Sequence, residues 1–128
     1  IGVREKLSIF GDDYETRDGT GVRDYIHVSD LADAHQKALQ KVLSKNTSLT
    51  VNLGSEEGVS VNEALQIARK VTGRAIPSEV VPRRPGDPAE LVASSKLAGN
   101  LLGWEATRSD IENLIHTMWK VYRLRQPT

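Results

Sequence analysis

Two short runs place arginines beside carboxylates and turn residues: Arg23-Asp24-Tyr25, and Arg83-Arg84-Pro85-Gly86-Asp87. A guanidinium fork matches phosphate oxygens bidentately. A carboxylate such as Asp87 can accept hydrogen bonds from ribose hydroxyls. Phe10, just ahead of Gly11, offers a ring face on which a base can stack. Together these are the parts for holding a nucleoside diphosphate. Taken singly, each has a plainer reading. Arg23-Asp24 is also an ordinary surface pair, Arg83-Arg84 a solvated turn, and Phe10 a core residue.

Other chemistry is missing. Gly19-Thr20-Gly21 starts like a dinucleotide-binding fingerprint, but Asp24 occupies the third glycine position and a strand, not a helix, follows. No Tyr-x-x-x-Lys pair occurs: Tyr14, Tyr25 and Tyr122 are followed four positions on by Asp18, Ser29 and Gln126. His27, His35 and His116 lie far apart and there is no cysteine, so no metal site is expected and the histidines read as structural. The chain thus holds no self-contained catalytic constellation. Seventeen Lys+Arg against seventeen Asp+Glu argue against a nucleic-acid surface. No apolar run reaches the length of a membrane span, which points to a soluble, cytoplasmic protein. At 128 residues with 38% hydrophobic side chains the chain can bury a core. It opens Ile1-Gly2-Val3-Arg4 and its one methionine is Met118, so it reads as a piece of a longer protein.

Leu7 to Phe10 alternates like one strand, and Val22 to Val28 is a β-rich second strand. Between them lies a loop with a tight turn at Asp18-Gly19. Ser29 is the expected cap of a helix running to about Lys45, with Asp30 and Asp33 favoured in its first turn by the helix dipole. Leu49 to Leu53 reads as a third strand. Ser60-Val61-Asn62-Glu63 is a capping box for a helix ending at Gly73. Pro77 to Val81 is extended, Arg83 to Ala93 is loop, and Ser95 caps a short helix through Leu102. Ser109-Asp110-Ile111-Glu112 is a second capping box, for a helix with Ile111, Leu114, Ile115, Met118, Trp119 and Tyr122 on one stripe. Trp104 and Trp119 are expected in the core. The order is mixed α/β, with too few strands for a full doubly wound sheet.

The combination is more specific than its parts. "IFGDDYETRDGTGVRDYIHVSDLADAH", then "VNLGSEEGVSV", "RRPGDPAELVASSKLA" and "LGW", resembles the C-terminal portion of the UDP-glucose 4-epimerase family, over essentially the whole chain. That family reads Asp-Tyr-x-Thr-x-Asp-Gly-Thr-x-Val-Arg-Asp-Tyr-Ile-His-Val in the first stretch. This chain matches at Asp13, Tyr14, Thr16, Asp18, Gly19, Thr20, Val22, Arg23, Asp24, Tyr25, Ile26, His27 and Val28. Glu15 stands where proline is usual, which should only loosen the loop.

The resemblance implies an extended short-chain dehydrogenase/reductase. Such an enzyme has a Rossmann domain holding NAD and a smaller domain gripping the UDP-sugar. Hydride leaves sugar C4 for NAD, the 4-keto sugar turns over, and hydride returns to its other face. The Gly-rich motif, the catalytic Ser and the Tyr-x-x-x-Lys pair would lie upstream. The implied fold class is therefore a mixed α/β substrate domain, residues 1–21 and 54–128, with residues 22–53 returning to a Rossmann domain outside the chain. Carried over by position, Arg23 and Arg84 clamp the diphosphate and Asp87 binds the ribose. Leu7, Ser8 and Phe10 bracket the uracil, and Tyr25 and Val61 line the same pocket. Asp24 orients its strand or pairs locally. Leu91 falls near the sugar C2 substituent, where its intermediate size favours plain hexoses over N-acetyl sugars. The partners implied are UDP-glucose and UDP-galactose, with a homodimer for the intact enzyme and no activity for this chain alone. Its isolated chain is expected to expose an apolar face. The rivals are another nucleotide-sugar epimerase or dehydratase, and a non-catalytic nucleotide-binding module.

Overall fold

In the computed structural model, which describes residues 4–124, α-helices alternate with short strands in two small sheets. Leu7–Phe10 (β1) pairs in parallel with Ser78–Val81 (β2), Leu7 opposite Ser78 and Phe10 opposite Val81. The ladder runs on past Phe10, because the Gly11 amide donates to the Val81 carbonyl at 2.9 Å. The second sheet centres on Val22–Arg23 (β3). Val59–Ser60 (β4) lies antiparallel on one side and Glu90–Leu91 (β5) parallel on the other.

The described residues also form four helices: Val28–Lys45 (α1), Val61–Thr72 (α2), Lys96–Leu102 (α3) and Ile111–Arg123 (α4). α2 packs on α4, and α1 on α3. The capping box of α2 is complete: the Glu63 amide donates to Ser60 Oγ at 3.0 Å and the Ser60 amide to Glu63 Oε2 at 2.9 Å. Gly73 ends that helix in the left-handed conformation. Trp104, Ala34 and Ala98 form a buried cluster joined by Val51, Leu53, Leu102 and Ala106.

Several expectations are corrected by hydrogen bonds that no local pattern displays. α1 is capped by His27, not Ser29: the Ser29 amide donates to His27 Nδ1 at 3.0 Å, and the helix starts two residues earlier, at Val28. The strand expected over Val22 to Val28 is two residues long. After Arg23 there is no further ladder partner among the described residues, and the Asp24 carboxylate instead accepts the Ala93 amide at 3.0 Å. That bond ties Asp24 to a residue 69 positions away rather than to a local partner. Leu49 to Leu53 is not a strand, because no strand among the described residues lies beside it. α4 is capped by Asp110, whose Oδ1 accepts the Asn113 amide at 2.9 Å. Ser109 is occupied elsewhere: its hydroxyl donates to Asp30 Oδ2 at 2.7 Å. Ser95 stands at the start of α3 without a side-chain cap, its hydroxyl donating to Glu56 instead. Within the expected core, Trp104 is buried. Trp119 is half-buried, under the Arg74 guanidinium, and Met118 and Tyr122 are exposed.

Candidate functional site

The loop between β1 and β3 is fastened to the start of α2, and this fixes the wall of a cleft. Asp18 Oδ1 accepts from the Thr20 amide at 3.0 Å and the Thr20 hydroxyl at 2.7 Å. Its Oδ2 accepts from the buried Ser60 hydroxyl. Arg17 reaches across to the Glu63 carboxylate and to the Gly58 carbonyl. Gly19 has φ +81°, and a Cβ there would lie 2.0 Å from the Asp12 carbonyl oxygen, so the turn requires glycine. The Val61 amide then donates to the Gly21 carbonyl at 3.0 Å, joining β3 to the first turn of α2.

The cleft so bounded has a volume of about 230 Å³. Ser8, Ile9, Phe10 and Gly11 come from the end of β1; Gly21, Arg23 and Tyr25 from β3 and its flanks; Val61 from α2; Arg84 and Asp87 from the loop after β2. Asp87 stands between the two arginines. Its Oδ1 accepts from Arg23 Nη2 at 2.6 Å, and its Oδ2 accepts from Arg84 Nη2 at 3.0 Å. The Arg23 hydrogen bond, with a smaller contribution from Arg84, holds the Asp87 carboxyl below the ordinary carboxylate range against the opposing effect of burial. Arg23 is braced further by the Val22 carbonyl at 2.6 Å and the Pro88 carbonyl at 2.9 Å. The Arg84 guanidinium lies 4.6 Å over the Phe10 ring. Burial pushes the Tyr25 phenol up, with the Arg23 charge opposing, so Tyr25 presents a neutral hydroxyl rather than a base.

The structure therefore brings Ser8, Phe10, Arg23, Tyr25, Val61, Arg84 and Asp87 to one cleft. Leu7 and Leu91 do not line it. Leu7 is at the far end of β1, and Leu91 lies opposite Arg23 on β5, 60% exposed. Ile9, Gly11 and Gly21 were not foreseen as lining residues. Gly21 had a physical signal, since a Cβ there would crowd Arg23 Nη1 at 3.3 Å, but only the fold reveals it. What the cleft offers is two clustered guanidinia, one carboxylate, a phenol and an exposed aromatic face. That set can bind an anion next to a planar ring and a diol. It contains no nucleophile–base pair. Among the described residues no group of three or more His, Cys, Asp or Glu is placed to hold a metal. No helix among them is long and apolar enough to cross a membrane.

The chain belongs to the GDP-mannose 4,6 dehydratase family, whose profile matches residues 1–118. Within that class it is similar to UDP-glucose 4-epimerases. It is 46% identical over 123 residues to the one from Halalkalibacterium halodurans, covering 96% of this chain and 37% of that protein. It is 54% identical over 118 residues to the one from Streptococcus mutans, covering 92% and 35%. A crystal structure of the Stenotrophomonas maltophila UDP-glucose 4-epimerase, with NAD and formylated UDP-arabinopyranose bound, superposes with a TM-score of 0.90 at 46% identity, covering 96% of this chain and 36% of that one. The Bifidobacterium longum enzyme, in complex with NAD+ and UDP, gives 0.87 at 36% identity, covering 97% and 36%. The mixed α/β fold is that of the C-terminal part of these epimerases, and the chain spans little more than a third of their length.

Proposed function

We propose that this chain is the UDP-sugar-gripping part of an NAD-dependent UDP-glucose 4-epimerase, which interconverts UDP-glucose and UDP-galactose. The observation that carries this is the Arg23–Asp87–Arg84 cluster set against Phe10 in one cleft. Arg23 and Arg84, both in the cleft wall, receive the diphosphate. Asp87, kept ionised by both arginines, accepts from the ribose hydroxyls. Phe10 and Ser8, with Leu7 at the outer end of β1, bracket the uracil, while Tyr25 and Val61 close the wall. Leu91, paired with Arg23 in the β3–β5 register but outside the cleft wall, is assigned to the sugar end, where its size favours plain hexoses.

No nicotinamide site is assigned to the described residues. Gly19-Thr20-Gly21 leads into β3 rather than a helix N-terminus, and its turn is filled by the Asp12 carbonyl. NAD, which would accept and return the hydride, belongs to the intact enzyme. No hydride step is assigned to these residues, and the chain alone should be inactive. The same proposal takes residues 22–53 as the segment that returns to a Rossmann domain. Its support is the stretch 49–53, which has no ladder neighbour among the described residues and whose Val51 and Leu53 line an apolar groove with Ala38 and Val42. A homodimeric, cytoplasmic enzyme completes the proposal.

The test is conversion of UDP-glucose to UDP-galactose by the full-length enzyme. Arg84→Ala should raise KM by tenfold or more, the loss of about one charge-assisted phosphate contact. Unchanged kinetics would remove Arg84 from the site. A parent active only on other nucleotide sugars would transfer the reading to a related epimerase or dehydratase.

A further inference from the structure

Arg83 and Arg84 are consecutive, yet they leave the loop for different targets. Arg84 lies over Phe10 and bonds Asp87 in the cleft. Arg83 is absent from the cleft wall. Its guanidinium lies 4.1 Å over the Tyr14 ring, its Nε donates to Asp13 Oδ1 at 2.6 Å, and its Nη2 donates to the Asp13 carbonyl. The loop after β2 is thereby hooked to the turn after β1.

The turn is shaped to admit this side chain. Gly11 has φ +87°, and a Cβ there would lie 2.6 Å from Arg83 Cγ and 3.0 Å from Tyr14 Cε2. Tyr14 is 7% exposed and its hydroxyl is buried without a hydrogen-bond partner, so its ring is held by packing and by the guanidinium, not by its polar tip. Hydrogen bonding to Arg83 also holds the Asp13 carboxyl below its ordinary range. As an ion pair the contact is exposed, with side chains 45% and 73% accessible, and contributes little to stability. Its consequence is geometric. Phe10 is one residue before Gly11, and Arg84 is one residue after Arg83, so the hook bears on how the Arg84 guanidinium sits against the Phe10 ring, 4.6 Å away.

We propose that Arg83 is a positioning residue: by stacking on Tyr14 and hooking Asp13 it holds Arg84 over Phe10 in the geometry that receives a nucleoside diphosphate. This rests on the UDP-binding reading of the same cleft. It goes beyond it by separating two adjacent arginines into one that touches the ligand and one that aims it.

A double-mutant cycle with UDP titrated into the full-length enzyme tests this. Arg83→Ala should weaken UDP binding about tenfold while shifting the melting temperature by no more than about 2 °C. Arg83→Lys should fail to restore binding, because an ammonium keeps the charge but neither stacks flat nor forks onto Asp13. In an Arg84→Ala background the further loss from Arg83→Ala should nearly vanish, since the residue acts through Arg84. Full additivity of the two losses, or rescue by lysine, would make Arg83 a separate charge on the phosphates and overturn the proposal. So would unchanged affinity in Arg83→Ala. If the unsubstituted enzyme fails to bind UDP, the functional reading falls and this proposal with it. If UDP binds and only Arg84→Ala matters, the functional reading stands and this proposal alone falls.

Discussion

Asp87 is the residue on which the cleft's charges converge, and its acidity gives a signed prediction. Its folded pKa lies below the ordinary 3.8, chiefly through the Arg23 hydrogen bond. A depressed carboxylate contributes stability above the unfolded pKa and loses it as pH falls through the folded pKa. Melting temperature should therefore drop below about pH 4. Asp87→Asn should flatten part of that drop, because its neutral amide has no charge to lose; an unchanged acid limb in the variant would contradict this. Asp18, Asp13 and Glu63 are depressed in the same sense and account for the remaining slope. At the same scale, Asp30 is 1% exposed, and its Oδ2 accepts from the Ser109 hydroxyl at 2.7 Å and the Arg108 amide at 2.8 Å. Asp30→Ala should cost about 2–4 kcal/mol in urea unfolding, through buried donors left unsatisfied. From sequence, Asp30 reads only as a first-turn acid favoured by the helix dipole. Its anchoring role needs residues 78 and 79 positions away, which no local pattern contains. Composition and spacing do not separate Arg83 from Arg84; the family resemblance singled out Arg84 by position, and the partners Tyr14 and Phe10 show what Arg83 does instead.

Among the elements, those with their own local chemistry were legible. The Ser60/Glu63 box, the Gly73 terminator and the Leu7 strand all lie where periodicity and capping place them. Ser60 has a second task, since its hydroxyl also donates to Asp18 and so ties the glycine turn to α2. Ser60→Ala should therefore exceed an ordinary cap loss of about 1 kcal/mol, reaching about 2 kcal/mol by thermal or chemical unfolding. A loss confined to a few tenths would show that the tie to Asp18 carries nothing. Elements that depend on a neighbour were not legible. Leu49 to Leu53 has strand composition but no ladder partner among the described residues, and β3 stops where its partners stop. His27 as a cap was also hidden, because its ring simultaneously meets Thr117 Oγ1 at 2.9 Å on α4. Caps are assigned locally, whereas this histidine's orientation is set from across the fold.

For the whole molecule, the order of the four helices was foreseeable from their periodicity and caps, and the family resemblance foresaw the joining of the two arginine runs, but the strands Val59–Ser60 and Glu90–Leu91 were not foreseen, because each is only two residues long and exists through its partner. What composition could not reveal is how little α4 buries: none of its residues is fully buried, and Met118, Val121 and Tyr122 stand 50%, 50% and 42% exposed. Leu39 and Leu43 are also exposed on α1, so α1 and α4 each leave large apolar side chains uncovered. Sedimentation velocity should show the isolated chain associating with rising concentration. A monodisperse monomer with one cooperative melting transition would contradict that. At this scale the central claim is that the cleft between β1, β3 and the loop after β2 receives the diphosphate of a UDP-sugar. Calorimetric titration of UDP and of uridine into the full-length enzyme, with and without Arg84→Ala, tests it most directly. UDP should bind well above uridine, and Arg84→Ala should erase most of that difference. Equal affinities for UDP and uridine in the unsubstituted enzyme, or a UDP preference untouched by Arg84→Ala, would contradict the claim.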